Sequence, residues 1–211
     1  MKDILQDIVS HTQNLGFLTT VKITGTDKGT TVNSMAEDRS VIMEAETANP
    51  YPDMLGVFGM PQLQKLKYLL DGSEYKDNAK ISITTADRNG ETLPVGLHFE
   101  NKDGDFKNDY RFMSTEIINE KMKTVKFRGV KWDVEVEPTV NAVQRGEFIF
   151  AQNVAGKLDR GWTWPVAQIL SILKIADVNN TKMSLSNEGA IQITLDSGLA
   201  TYKYIIPAQA A

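Results

Sequence analysis

The sequence predicts an α+β protein made of two similar halves, in each of which helices pack on antiparallel strands. Two segments with apolar residues at helical spacing open on prolines, Pro61 and Pro165, which stand 104 positions apart in a chain of 211. Each is followed by three short runs of alternating or β-branched residues, separated by turn residues, as in a three-stranded meander. A layout that recurs at half the chain length reads as an internal duplication.

Residues 2–15 carry Ile4, Leu5, Ile8, Val9 and Leu15 on one face and predict the first helix. FLTTVKI (17–23), TTVNSM (30–35), SVIMEAE (40–46) and MLGVF (54–58) follow as strands. Pro61 then opens a helix with Leu63, Leu66, Leu69 and Leu70 on one face, closed by Asp71-Gly72. AKISITT (79–85), LPVGLHF (93–99) and NDYRFM (108–113) complete the first domain, 1–113, with Gly90 and Gly104 at positive-φ turn positions.

Residues 114–130 read as a connector, and 131–211 as the second domain. That domain opens on a strand in which Trp132, Val134 and Val136 alternate inward. A helix at 138–145 with Val140 and Val143, and a strand EFIFA (147–151), come next. Pro165 opens a helix with Val166, Ile169, Leu170 and Leu173, ending at Asn179-Asn180. Strands at 182–186, 190–195 and 199–206 finish the chain. The second domain is short by about thirty residues, several ordinary strands. The shortfall falls between Arg145 and Gly146, where a helix would run straight into a strand, so a discontinuity is expected there, either dropped residues or a real deletion.

Composition narrows the function classes. With 41% hydrophobic and 24% charged residues the chain is an ordinary folded protein. The absence of cysteine removes disulfides, thiolate nucleophiles and thiolate metal sites. Apolar runs are only a few residues long and Asp3 and Asp7 interrupt the N-terminus, so neither a membrane span nor a secretory signal fits, and a cytoplasmic place with no membrane partner is expected. The net charge of -4 hides an asymmetry. Residues 1–105 carry 10 Lys+Arg against 16 Asp+Glu, and 106–211 carry 13 against 11. An acidic total can still contain a basic lining, because local field guides a polyanion.

The catalytic inventory is thin. His11 and His98 are the two histidines, in separate elements and without a carboxylate in metal-ligand spacing. Asp103, Asp105 and Asp109 lack the closing Glu of a cation loop and read as a solvated hairpin. DRNG and DSG are turns, and no Gly-rich phosphate loop with Lys-Ser or Lys-Thr occurs. No catalytic residue, metal ligand or cofactor is assigned, and the chain reads as a protein that is not an enzyme.

WDVEVEPTVNAVQR, GEFIFAQNV, GKLDRGWTWPVAQILSIL and EGAIQITLDSGLATYKYIIPA together resemble the DNA sliding clamps of T-even-like phages, most strongly over 131–211, and FGMPQLQKLKYLLDG is similar to the second helix of a clamp's first domain. The resemblance implies the DNA clamp fold, in which helices line a central hole and three two-domain chains form a six-domain ring, as in proliferating cell nuclear antigen. It implies a homotrimeric processivity factor that encircles double-stranded DNA without reading sequence. Such a factor would tether a DNA polymerase, be opened by an ATP-driven clamp loader, and work in the cytoplasm of an infected bacterial cell.

Helical-wheel placement puts Lys65, Lys67, Arg145 and Lys174 on or beside free helix faces, which makes them the DNA-facing candidates. The first helix departs from a positive lining, since it exposes Asp3, Gln6, Asp7 and Ser10 with Lys2 as its base. By family analogy the partner groove lies between the connector and the C-terminal tail, at Val125, Phe127, Tyr204, Ile206 and Pro207. Two other readings stand beside this one: a non-enzymatic phage structural or assembly ring, and a single-stranded DNA-binding protein stacking bases on Trp132, Trp162 and Trp164.

Overall fold

The computed structural model describes residues 1–76, 78–88, 90–123, 130–136 and 154–209. The helix expected at 138–145, the strand at 147–151 and the Arg145–Gly146 junction lie outside the described residues.

Helix α1 (Lys2–Ser10) buries Ile4, Leu5, Ile8 and Val9. It is shorter than the periodicity predicts. The Thr12 hydroxyl donates to the carbonyl of Ile8 at 2.5 Å, competing for the helical ladder, and the chain turns through a 3₁₀ segment, Gln13–Leu15, capped by Gly16 at φ 88°. Strands β1 (Val21–Thr26), β2 (Gly29–Met35), β3 (Ile42–Thr47) and β4 (Gly56–Met60) follow, then helix α2 (Leu63–Asp71) with Leu63, Leu66, Leu69 and Leu70 buried. Strands β5 (Lys80–Arg88), β6 (Glu91–Glu100) and β7 (Lys107–Arg111) come next.

Residues 115–121, read from sequence as connector, form helix α3 (Thr115–Lys121). Glu116 in the first turn and Lys121 in the last suit the helix dipole, and Ile118 and Met122, one turn apart, are buried. Ile118 sits directly over Gly59 of β4, where a Cβ would come within 2.9 Å of its side chain. The second half supplies β8 (Val134–Val136), β9 (Ala155–Gly156), helix α4 (Val166–Leu173), β10 (Thr181–Ser186), β11 (Ala190–Asp196) and β12 (Ala200–Pro207).

Among the described residues nine strands form one antiparallel sheet in the order β4-β1-β2-β3-β12-β11-β10-β8-β9, and β5-β6-β7 form a second. The seam between the halves is β3 against β12, paired from Ile42↔Ile205 to Thr47↔Ala200. One cross-strand row, Met60–Val21–Ser34–Met43–Tyr204–Ile193–Met183–Val136, crosses that seam, and every member is buried. The neighbouring residues on the opposite face, Lys22, Asn33, Glu44, Lys203 and Thr194, are polar. Alternation therefore gives the sheet one apolar face, and α1, α2 and α4 share a single core with it.

Helix α4 is rolled relative to its sequence wheel. Ile172 and Leu173 are buried, Ile169 is half-buried, and Val166 and Leu170 are exposed.

Candidate nucleic-acid interface and partner pocket

The free faces of the helices are the surface on which the DNA-facing candidates were placed. Lys65 on α2 is exposed, with its Nζ 3.4 Å from the Asp109 carbonyl. Lys67 is half-buried and pairs with Asp71 one turn on at 3.0 Å. Lys174, just past α4, is exposed, and Arg145 lies outside the described residues. Lys2 is spent on its own fold, donating to the carbonyls of Tyr75 at 2.6 Å and Lys76 at 3.1 Å. Gln64 accepts from Gln13 at 3.0 Å, and Tyr68, beside it, is 78% exposed. The face is sparsely charged, and on α4 it also exposes Val166 and Leu170.

Asp7, expected on the free face of the first helix, turns toward the sheet. Its carboxylate accepts from the Tyr202 hydroxyl at 2.7 Å and the Ser197 hydroxyl at 2.9 Å, and lies 3.3 Å from the His11 Nδ1. The His11 ring stacks on Tyr202 at 4.1 Å between centroids, and Tyr204 donates to the His11 carbonyl at 2.8 Å. Burial pushes the Asp7 carboxyl up, but the hydrogen bonds from His11 and Tyr202, the charge of His11 and the Ser197 bond outweigh it and hold the group below the usual carboxylate range. The same burial, with Asp7 beside it, raises Tyr202 and Tyr204 well above the ordinary phenol value. The acid that seemed to spoil a positive lining is thus a clasp between α1 and β12.

His98 is bonded at 2.7 Å to Asp109 across β6 and β7, with Glu100 at 3.9 Å. Among the described residues no three histidines or carboxylates are grouped to hold a metal ion. No described helix is long and apolar enough to cross a membrane. Trp132, Trp162 and Trp164 are all half-buried. Trp162 lies under the Arg160 guanidinium at 3.6 Å, and Trp164 packs on the core, so they do not form an exposed stacking platform.

The partner-groove residues divide. Tyr204 and Ile206 are fully buried and face the helices; they are core, because strand alternation sends both to the apolar face of the sheet. Pro207 is half-buried at the end of β12, opposite Ala190. The tail beyond it stays bonded, Ala208 N–H to the Gly189 carbonyl and Gln209 N–H to the Thr163 carbonyl. Val125 and Phe127 lie outside the described residues. The opposite, polar face of the sheet holds a cavity of about 150 Å³ lined by Met35, Ile42, Glu44, Lys22 and Met122. Ile42 pairs with Ile205 of β12, and Met122 follows the last residue of α3, so the cavity lies between the start of β3 and the end of α3. Met35, Ile42 and Met122 were not singled out from sequence; the apolar pair flanking the 36–41 hairpin was the available signal.

The sequence matches no family model and no curated protein. The structure is similar to A. fulgidus PCNA solved with the C-terminal region of FEN-1 bound, at TM-score 0.63 and 10% identity over 100% of this chain and 95% of that one. PCNA from Thermococcus kodakaraensis matches at TM-score 0.60 and 11% identity over 97% of both chains. A chain of the PCNA2-PCNA3 complex from Sulfolobus tokodaii matches at 0.60 and 9% identity over 98% of this chain and 97% of that one. At such identities the likeness speaks for architecture, and over its full length this chain has the α+β DNA clamp fold of the PCNA structures.

Proposed function

We propose that the chain is a sliding clamp, a DNA polymerase processivity factor that acts by topology and makes or breaks no bond. Three copies close head to tail around double-stranded DNA, and a clamp loader opens the ring. The observation that carries this reading is the one-sided layering: α1, α2 and α4 cover one face of a sheet that runs through both halves, leaving a helical surface on which Lys65 and Lys174 are exposed, beside the apolar Val166 and Leu170 of α4. A ring of such chains presents that surface to the hole, where phosphates are met without base contacts.

Strand β7 supports the closed ring. Phe112 N–H bonds to Val95 and Asn101 N–H to Phe106, so by antiparallel alternation the backbone groups of Lys107, Asp109 and Arg111 face away from β6. The bridge from Met113 to Gly59 of β4 closes the continuation of that edge, no described strand pairs with it along Lys107–Arg111, and a heterologous contact with a second copy would use that stretch. The cavity at Met35, Ile42 and Met122 is our reading of where a polymerase segment docks. The likeness of residues 131–211 to T-even-like phage clamps supports a phage protein working in the cytoplasm of an infected bacterium.

The test needs no loader. The protein is allowed to thread onto linear biotin-ended duplex, whose ends are then blocked with streptavidin, and retention is compared with unblocked duplex. A clamp has a three-chain solution mass and, after dilution, is retained only on blocked DNA. A mass fixed at one or two chains at high concentration overturns the trimer, and a ring that ignores end-blocking is an assembly protein.

A further inference from the structure

We infer that Tyr68 is a hydrogen-bonding contact to the phosphate backbone of duplex DNA, so that the α2 surface holds its polyanion partly by neutral donors. This rests on the clamp reading. A lone exposed aromatic is ordinary, but two features set Tyr68 apart. Four of the six tyrosine hydroxyls are engaged: Tyr110 donates to Pro61, Tyr202 to Asp7 and Tyr204 to His11, while Tyr75 accepts from Asn108. The Tyr68 hydroxyl has no partner among the described residues, and its side chain stands in the middle of the free face of α2 at 78% exposure.

The second feature is what surrounds it. A helical side chain leans toward the helix N-terminus, which carries Tyr68 over the turn bearing Gln64 and Lys65. Gln64 is bonded to Gln13, and the other nearby bases are committed, Lys67 to Asp71 and Lys2 to two carbonyls. A phosphate approaching α2 therefore meets one exposed ammonium, Lys65, held only by its long 3.4 Å contact to the Asp109 carbonyl, and one unsatisfied phenol donor. Hydrogen bonds to a charged acceptor are the stronger kind. A neutral donor releases no counterion, so it adds affinity without adding to the salt slope.

The experiment measures binding of a fluorescent 20-base-pair duplex by anisotropy at a series of salt concentrations, for wild type, Tyr68→Phe and Lys65→Gln. Tyr68→Phe removes only the hydroxyl of an exposed ring and leaves the fold intact. It is expected to weaken binding about fivefold at every salt concentration with the slope unchanged, whereas Lys65→Gln makes the slope shallower. Wild-type affinity in Tyr68→Phe, with normal duplex binding by wild type, overturns the inference, as does a change of slope in Tyr68→Phe. Absence of duplex binding by the wild-type trimer instead overturns the clamp reading itself.

Discussion

The two helix-then-three-strand blocks read alike in sequence and end differently in space. In the second, β12 is paired on both sides, seven positions with β11 and six with β3, and its inward residues Tyr202, Tyr204 and Ile206 are fully buried. In the first, β7 is paired with β6 alone among the described residues, and the backbone of its other edge faces outward. The blocks differ less in their own residues than in what lies next to them. An edge left open is a contact waiting for another chain, whereas a covered one is core.

The largest effect expected from this difference is on β12. Tyr204→Ala removes a fully buried ring and its bond to α1, and should cost about 4 kcal/mol in denaturant unfolding. A loss under about 1 kcal/mol would show that the seam is not part of the cooperative core.

Proline separates the two strands by backbone alone, since both positions tested bear exposed side chains. Lys203→Pro strikes a strand bonded on both sides and should cost about 3 kcal/mol or more. Arg111→Pro strikes the outward edge of β7, should cost about 1 kcal/mol or less in the same melt, and, on the proposed ring, should lower the solution mass from three chains to one. Equal costs at the two sites would erase the comparison.

Asp7→Asn keeps the shape of the clasp and removes its charge, at a cost of about 2 kcal/mol. Because the Asp7 carboxyl is held below its unfolded value, its contribution is present above the ordinary carboxylate range and is lost as pH falls through the lowered native value. Wild type should therefore lose stability on acidification more steeply than Asp7→Asn, and parallel acid limbs in urea melts would remove Asp7 from the account. The smallest effect is that of Gly59→Ala, which must push Ile118 off β4 and should cost about 1 kcal/mol.

Much of the fold was legible because local periodicity decides it. The leucine faces of α2 and the alternation in β10 to β12 appear in the structure close to where they were read. What escaped depends on contacts remote in sequence. No local pattern joins β3 to β12, residues more than 150 positions apart. Asp7 was placed in solvent because a carboxylate on a helix usually is, and Tyr202, its reason for turning inward, sits at the other end of the chain. Tyr204 and Ile206 were placed in the groove for being apolar and near the terminus, yet strand parity puts them inside. The connector helix was missed because its buried stripe is only Ile118 and Met122.

The seam has a consequence for how the protein is made. β12 is synthesised after every other described strand, and its place is between β3, made early, and β11. Until residues 200–207 leave the ribosome, β3 carries an unpaired edge and the tyrosines that complete the row over α1 are missing. The first half therefore cannot finish folding on its own as it emerges. At about 5–20 residues per second, β3 waits roughly ten to thirty seconds with an aggregation-prone edge exposed, and the seam closes only once residues 200–207 have been made.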